Sequence, residues 1–180
     1  MTGQLVVVPY DPGWPAHFEA IAARLRELLR DVPVSGIEHV GSTAVPGLAA
    51  KPILDVDVVV ERAHVGTASE ALTAAGYTAL GEMGIVDRWA FRAPDGAVRQ
   101  NVYVVVEGSL CVRDHRALRD TLRENRTLRD EYASVKTALA ARTDDIDEYV
   151  AGKTEVILKV LRIAGIAQGE LDELERVNRR

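Results

Sequence analysis

Asp55 and Asp57 stand two residues apart in the otherwise apolar run 53–60, Ile-Leu-Asp-Val-Asp-Val-Val-Val. Its length and valine content predict a buried strand, on which positions i and i+2 share a face about 6–7 Å apart. Two like charges held that close repel each other and lose hydration. A divalent cation, a set of backbone donors or an open sheet end facing water would each offset that cost. Upstream, Gly41-Ser42 ends a short predicted strand and opens the small-residue segment 43–50. A glycine there lets backbone N–H groups approach an anion, and the serine hydroxyl adds a donor. The same serine equally suits an ordinary helix N-cap. Either motif alone is a modest signal. In the order strand, Gly-Ser turn, strand with Asp-x-Asp, the pair is more specific: loop donors take phosphate oxygens while the carboxylates hold magnesium bridging those phosphates.

Other residues could serve such a site. Arg88 and Arg92 flank Trp-Ala-Phe on a predicted strand and fall on one face, where guanidinium groups would suit a triphosphate; an exposed strand face is the plain alternative. Asn101 and Tyr103 alternate onto one face, with Arg99 alongside, and could contact a base or sugar. Tyr132–Lys136 and Tyr149–Lys153 repeat a four-residue spacing. Lys153 falls within the apolar stripe Ile146, Tyr149, Val150, Ile157, Val160, Leu161, where a lysine needs an anion or a route to water. Lys136 borders its own stripe, and a packed stem with a solvated head accounts for it. Arg113, Arg116, Arg119, Arg123, Arg126 and Arg129 interleave with Asp114, Asp120 and Glu124, which reads as a solvated, ion-paired face. His39 reads as a packed, hydrogen-bonded histidine, and His17, His64 and His115 form no constellation with one another. The single Cys111 excludes an internal disulfide and a cysteine-based zinc site, and reads as having no role.

Around these residues the chain organises simply. Its 180 residues, 47% hydrophobic and 27% charged, suit one domain with a helical extension. A formal net charge of −5 argues against a general attraction to nucleic acid or anionic membrane. With no membrane span and no basic-then-apolar leader, a cytoplasmic location is expected. Strands are predicted at 5–8, 35–40, 53–60, 77–80, 85–92 and 97–106, with Asp95-Gly96 as a hairpin turn. Helices are predicted from Trp14 to Leu28, where apolar residues recur at spacings of 3 and 4, at 64–75, and after residue 110. The chain from Gly165 reads as a frayed polar tail.

The segments PYDPGWPAHF and IEHVGSTAVPGLAAKPILDVDVVV, with the Tyr-x-x-x-Lys pairs, resemble the GrpB family over residues 5–163. That family is similar to the nucleotidyltransferase, or polymerase-beta-like, superfamily, and in some bacteria it occurs fused behind dephospho-coenzyme A kinase. The resemblance implies an α/β (α+β) fold: a mixed-sheet core over 1–109, a helical part over 110–165 packed on it, and the polar tail 166–180. It implies magnesium-dependent transfer of a nucleotidyl group from a nucleoside triphosphate to a small acceptor. Asp55 and Asp57 would be catalytic and hold magnesium (or manganese). Gly41, Ser42, Arg88, Arg92, Asn101, Tyr103, Lys136 and Lys153 would bind the nucleotide. The departure is on strand 97–106, where superfamily enzymes commonly carry a third carboxylate. Relatives show a His-Leu-His type sequence there, and this chain has Asn101 and Tyr103. That weakens the catalytic reading without displacing it, and keeps open the alternative, a catalytically weak or inactive nucleotide-binding or regulatory module.

Overall fold

A computed structural model of the chain describes residues 5–95 and 98–178. The Val-rich segments β2 (Leu54–Val60) and β5 (Gln100–Val106) form the centre of one five-stranded sheet completed by β1 (Val34–Val40), β3 (Thr78–Gly81) and β4 (Arg88–Arg92), in the order β1-β2-β5-β4-β3. β2 and β5 run parallel and the other neighbours antiparallel, so the sheet is mixed. Strand alternation sorts the side chains into two chemically different faces. Leu54, Val56, Val58, Val60, Val102, Val104 and Val106 point one way, into a core closed by α1 (Trp14–Leu28) and α2 (Val65–Ala74). The 3-and-4 spacing of Trp14, Phe18, Ile21 and Leu25 supplies the α1 stripe, and all four are buried there. Asp55, Asp57, Asn101 and Tyr103 point the other way.

Four helices build up that second side, with α3 (Leu110–Glu124) against β1 and β5, α4 (Arg126–Arg142) and α5 (Ile146–Ile163) packed together, and α6 (Gln168–Asn178) docked on α5. Ser109, Asn125 and Asp145 cap the first three by accepting from backbone N–H groups of the opening turn. α4 and α5 lie close because Gly152 faces Leu139; an added Cβ would sit 2.5 Å from Leu139 Cδ2. Among the described residues, no helix is long and apolar enough to cross a membrane.

Three expectations are corrected here. Residues 5–8 form no strand; Val8 makes a single antiparallel bridge to Ala50, since the prolines that follow leave no ladder to extend. The strand expected at 85–92 starts only at Arg88, after Asp87 takes a positive φ of 66°. The supposed frayed tail is helix α6, docked through Leu171, which is buried against Leu158 and Leu161. So few apolar positions in a polar segment hide a helix whose stability comes from its partner. Gly96, half of the expected hairpin turn, lies outside the described residues.

Candidate functional site

β2 is flanked by β1 and β5, so its carboxylates stand mid-sheet on the helix-covered face. Asp55 is level with Val40 and Asn101, and Asp57 with Glu38 and Tyr103. After β1 the chain turns at Gly41 into a short 3-10 turn, Ser42–Ala44. Gly41 has φ 69° and ψ −169°, a conformation essentially reserved for glycine. An added Cβ would lie 2.3 Å from Asp55 Oδ2, so the turn is wrapped directly onto the carboxylate. Ser42 is the first residue of the turn, with Gly41 in the cap position, and no side-chain cap bond forms there. Ser42 instead borders a cavity of about 200 Å³ shared with Gly41, Asp55, Tyr103, Tyr132 and Lys153.

The two carboxylates are held differently. Asp55 Oδ1 accepts from Asn101 Nδ2 at 2.8 Å and lies 3.5 Å from the Tyr103 hydroxyl. Burial raises the Asp55 pKa, although Asn101 and His115 favour its ionised form. Asp57 is 2% exposed and lies behind the cavity wall; its Oδ2 is 2.8 Å from His115 Nδ1, while its buried Oδ1 has no hydrogen-bond partner among the described residues. Burial opposes a charge on His115, but the Asp57 carboxylate prevails and raises its pKa well above the usual histidine value. Glu38 is a third carboxylate level with Asp57, contributed by β1 rather than β5. Burial works against its ionisation, yet the Arg116 and Arg119 guanidinium groups engage both its oxygens and hold its pKa low. Among the described residues, no group of three His, Cys, Asp or Glu side chains is arranged to hold a metal.

Lysines enter from the helices. Lys153 lies over the Tyr149 ring at 4.5 Å and borders the cavity. Burial and the nearby Lys51 depress its pKa to about 8, with Asp55 acting in the opposite direction. Lys136 is 2% exposed, donates to the Ala49 carbonyl and lies over Tyr132 at 4.6 Å. Burial, and then Lys153, bring its pKa down to about 7. Neither a solvated helix edge nor the cavity lining describes it; its ammonium ties α4 to the loop at Ala49.

Half of the arginine stripe does the same, correcting its reading as a solvated face in part: Arg113, Arg116 and Arg126 keep the ion pairs expected of it, while the other three turn to the loop. Arg119 donates to the His39 carbonyl at 3.2 Å, Arg123 to Ala44 at 2.8 Å and Arg129 to Pro46 at 3.1 Å. With Lys136 on Ala49, four cations from α3 and α4 satisfy carbonyls along 39–49. A non-regular loop has no ladder of its own to do so.

Of the residues expected at the site, Gly41, Ser42, Asp55, Tyr103 and Lys153 border one cavity, and Asn101 and Asp57 adjoin it. Arg88 lies 4.7 Å from the Tyr103 ring centre, with a buried Nε that has no partner among the described residues. Arg92 is exposed and does not border the cavity. His39 packs as expected, stacked on Phe18 and 3.0 Å from Thr43 Oγ1. Sequence reasoning missed His115 and Lys51. His115 is 58 positions from its aspartate, and no spacing signals that approach. Lys51, 5.4 Å from the Tyr149 ring, stands in the quoted motif four residues before Asp55, its one available signal.

Comparison with known proteins agrees with this architecture. A UPF0157 protein of Halalkalibacterium halodurans is 34% identical over 163 residues, covering 89% of this chain and 82% of that protein. The crystal structure of conserved protein GrpB from Enterococcus faecalis superposes with a TM-score of 0.77 at 30% identity, covering 89% of this chain and all of that one. The GLD-2/RNP-8 complex structure, at 13% identity and a TM-score of 0.59 over 91% of this chain and 64% of its own, shares the fold, which is nucleotidyltransferase-like. The GrpB protein family matches residues 4–162, and the chain belongs to that family.

Proposed function

We propose that the cavity binds the phosphates of a nucleoside triphosphate and that the protein transfers a nucleotidyl group to a small acceptor in the cytoplasm. The observation that carries this reading is the Gly41 turn pressed onto Asp55, with Ser42 and Lys153 at the same cavity. The turn supplies backbone and hydroxyl donors, Lys153 a cation without an ion pair among the described residues, and Tyr132 and Tyr103 walls that limit water. Asp55 and Asp57 would be the residues that hold magnesium or manganese. The buried Asp57 Oδ1 is an unpartnered hard oxygen, and Asp55 Oδ2 faces the Gly41 turn. When bound, the metal would neutralise phosphate charge. The chain's own part is to hold the phosphates against the turn and to orient Asp55 through Asn101.

Calorimetry with magnesium and a non-hydrolysable triphosphate should detect binding that the Asp55→Asn, Asp57→Asn double variant loses; undiminished binding in that variant removes the metal role. Lys153→Met keeps the stem and deletes the charge. It should weaken triphosphate affinity several-fold and flatten its dependence on salt, because one screened attraction is gone. Equal affinity and salt slope in the two proteins would assign Lys153 to packing alone.

Asn101 favours a second reading, nucleotide binding without turnover. An amide donating to Asp55 occupies the strand position where a third carboxylate is expected. Pyrophosphate release from a magnesium–triphosphate mixture supplied with small-molecule extracts separates the two: release that depends on Asp55 supports transfer, and binding without release supports the second reading.

A further inference from the structure

A second cavity, of about 300 Å³, opens between α3, α6 and the loop joining β3 to β4. Its walls are mostly apolar: Ile85, Val86, Leu110, Leu174 and Val177. Its volume is at the lower end for small-molecule sites, and Val86, 68% exposed, leaves its mouth open to solvent. Into this apolar space faces Asp114, which is only 8% exposed and whose Oδ1 is buried with no hydrogen-bond partner among the described residues.

The charges around Asp114 do not resolve that deficit. Arg113 is engaged by Glu170 at 3.0 Å, and His115 by Asp57 at 2.8 Å. Glu173 adds a further carboxylate to the lining. Burial, with Glu170 adding to it, pushes the Asp114 pKa up to about 6 against the pull of His115 and Arg113. At neutral pH the group is therefore largely ionised. A buried carboxylate with an open oxygen is costly unless a donor reaches it. A bound anion would be repelled, and a purely apolar ligand would leave the oxygen unpaired.

We propose that this cavity is a ligand site for a small primary ammonium compound, its hydrocarbon body against the Leu110–Leu174–Val177 wall and its charge on the Asp114 carboxylate. The site stands apart from the nucleotide reading and does not depend on it. His115 borders both cavities, so the bound ammonium would lie one residue from the Asp57 pair.

The test is a methyl-detected NMR titration of the full chain with hexylamine, hexan-1-ol and hexanoate, three probes of similar body and different head. Hexylamine should shift the Ile85, Val86, Leu174 and Val177 methyls and bind at least about tenfold more tightly than hexan-1-ol, with hexanoate weakest. Asp114→Asn, which keeps the shape and removes the charge, should bring hexylamine down to the affinity of hexan-1-ol. Leu174→Trp, which fills the space from the α6 wall, should abolish binding of both. Equal binding of amine and alcohol to the unaltered protein overturns the ammonium assignment. Methyl shifts that persist in Leu174→Trp, or no shifts with any probe, overturn the site. None of these outcomes bears on triphosphate binding, which calorimetry reads separately.

Discussion

Gly41→Ala should destabilise the protein by at least about 2 kcal/mol and abolish magnesium–triphosphate binding in whatever fraction stays folded. Two costs combine. A side chain at φ 69°, ψ −169° is strained by about 1–3 kcal/mol. The new Cβ also overlaps Asp55 Oδ2, with Asp55 Cβ and Cγ each at 3.1 Å, so Asp55 must move or the turn must lift. Either movement separates the loop donors from the carboxylate. Urea unfolding with calorimetry on the same samples reads both effects. The double variant Gly41→Ala, Asp55→Ala removes the oxygen but not the strain, so it should recover part of the lost stability; strictly additive losses would mean the two residues do not press on each other. A loss below about 0.5 kcal/mol for Gly41→Ala would mean that the turn is not pressed onto Asp55.

Lys136→Met should stabilise the protein near neutral pH and flatten its stability profile in alkali. Lys136 has a folded pKa of about 7, below the ordinary lysine value of about 10.4. Between those pH values the unfolded chain binds the proton that the folded chain has lost, so wild-type stability rises with pH. Below pH 7 both states carry it, and the full penalty of a buried charge is present. The displacement corresponds to a gross effect on the order of 4 kcal/mol. Methionine removes that penalty but leaves the Ala49 carbonyl without its donor, which costs about 1–3 kcal/mol. A net gain of about 1–3 kcal/mol at pH 7 is expected, reversing to a loss of about 1–3 kcal/mol at pH 10, where the burial penalty is gone and the missing donor to Ala49 remains. Parallel urea-unfolding profiles from pH 7 to 10 in the two proteins would contradict this account.

The sequence alone determined what repeats with a short period or depends on one residue type. Alternation in 53–60 placed Asp55 and Asp57 on one face, the 3-and-4 spacing from Trp14 marked α1, and the Gly-Ser motif marked the turn after the strand at 35–40. These are local properties, since strand and helix geometry convert spacing directly into direction. Tertiary structure alone decided which distant charges meet. The Arg119–Arg123–Arg129 stripe looks like a solvated helix face because its partners are backbone carbonyls of 39–46, which any sequence carries and none announces. His115 meets Asp57 because α3 lies across the sheet face, and Leu171 is buried because α5 offers it Leu158 and Leu161. Asp57 and Asp55, equivalent by spacing, became different groups once His115 took one and Asn101 the other. Direction along a strand or helix is written in periodicity, but desolvation and charge pairing depend on what packs on top.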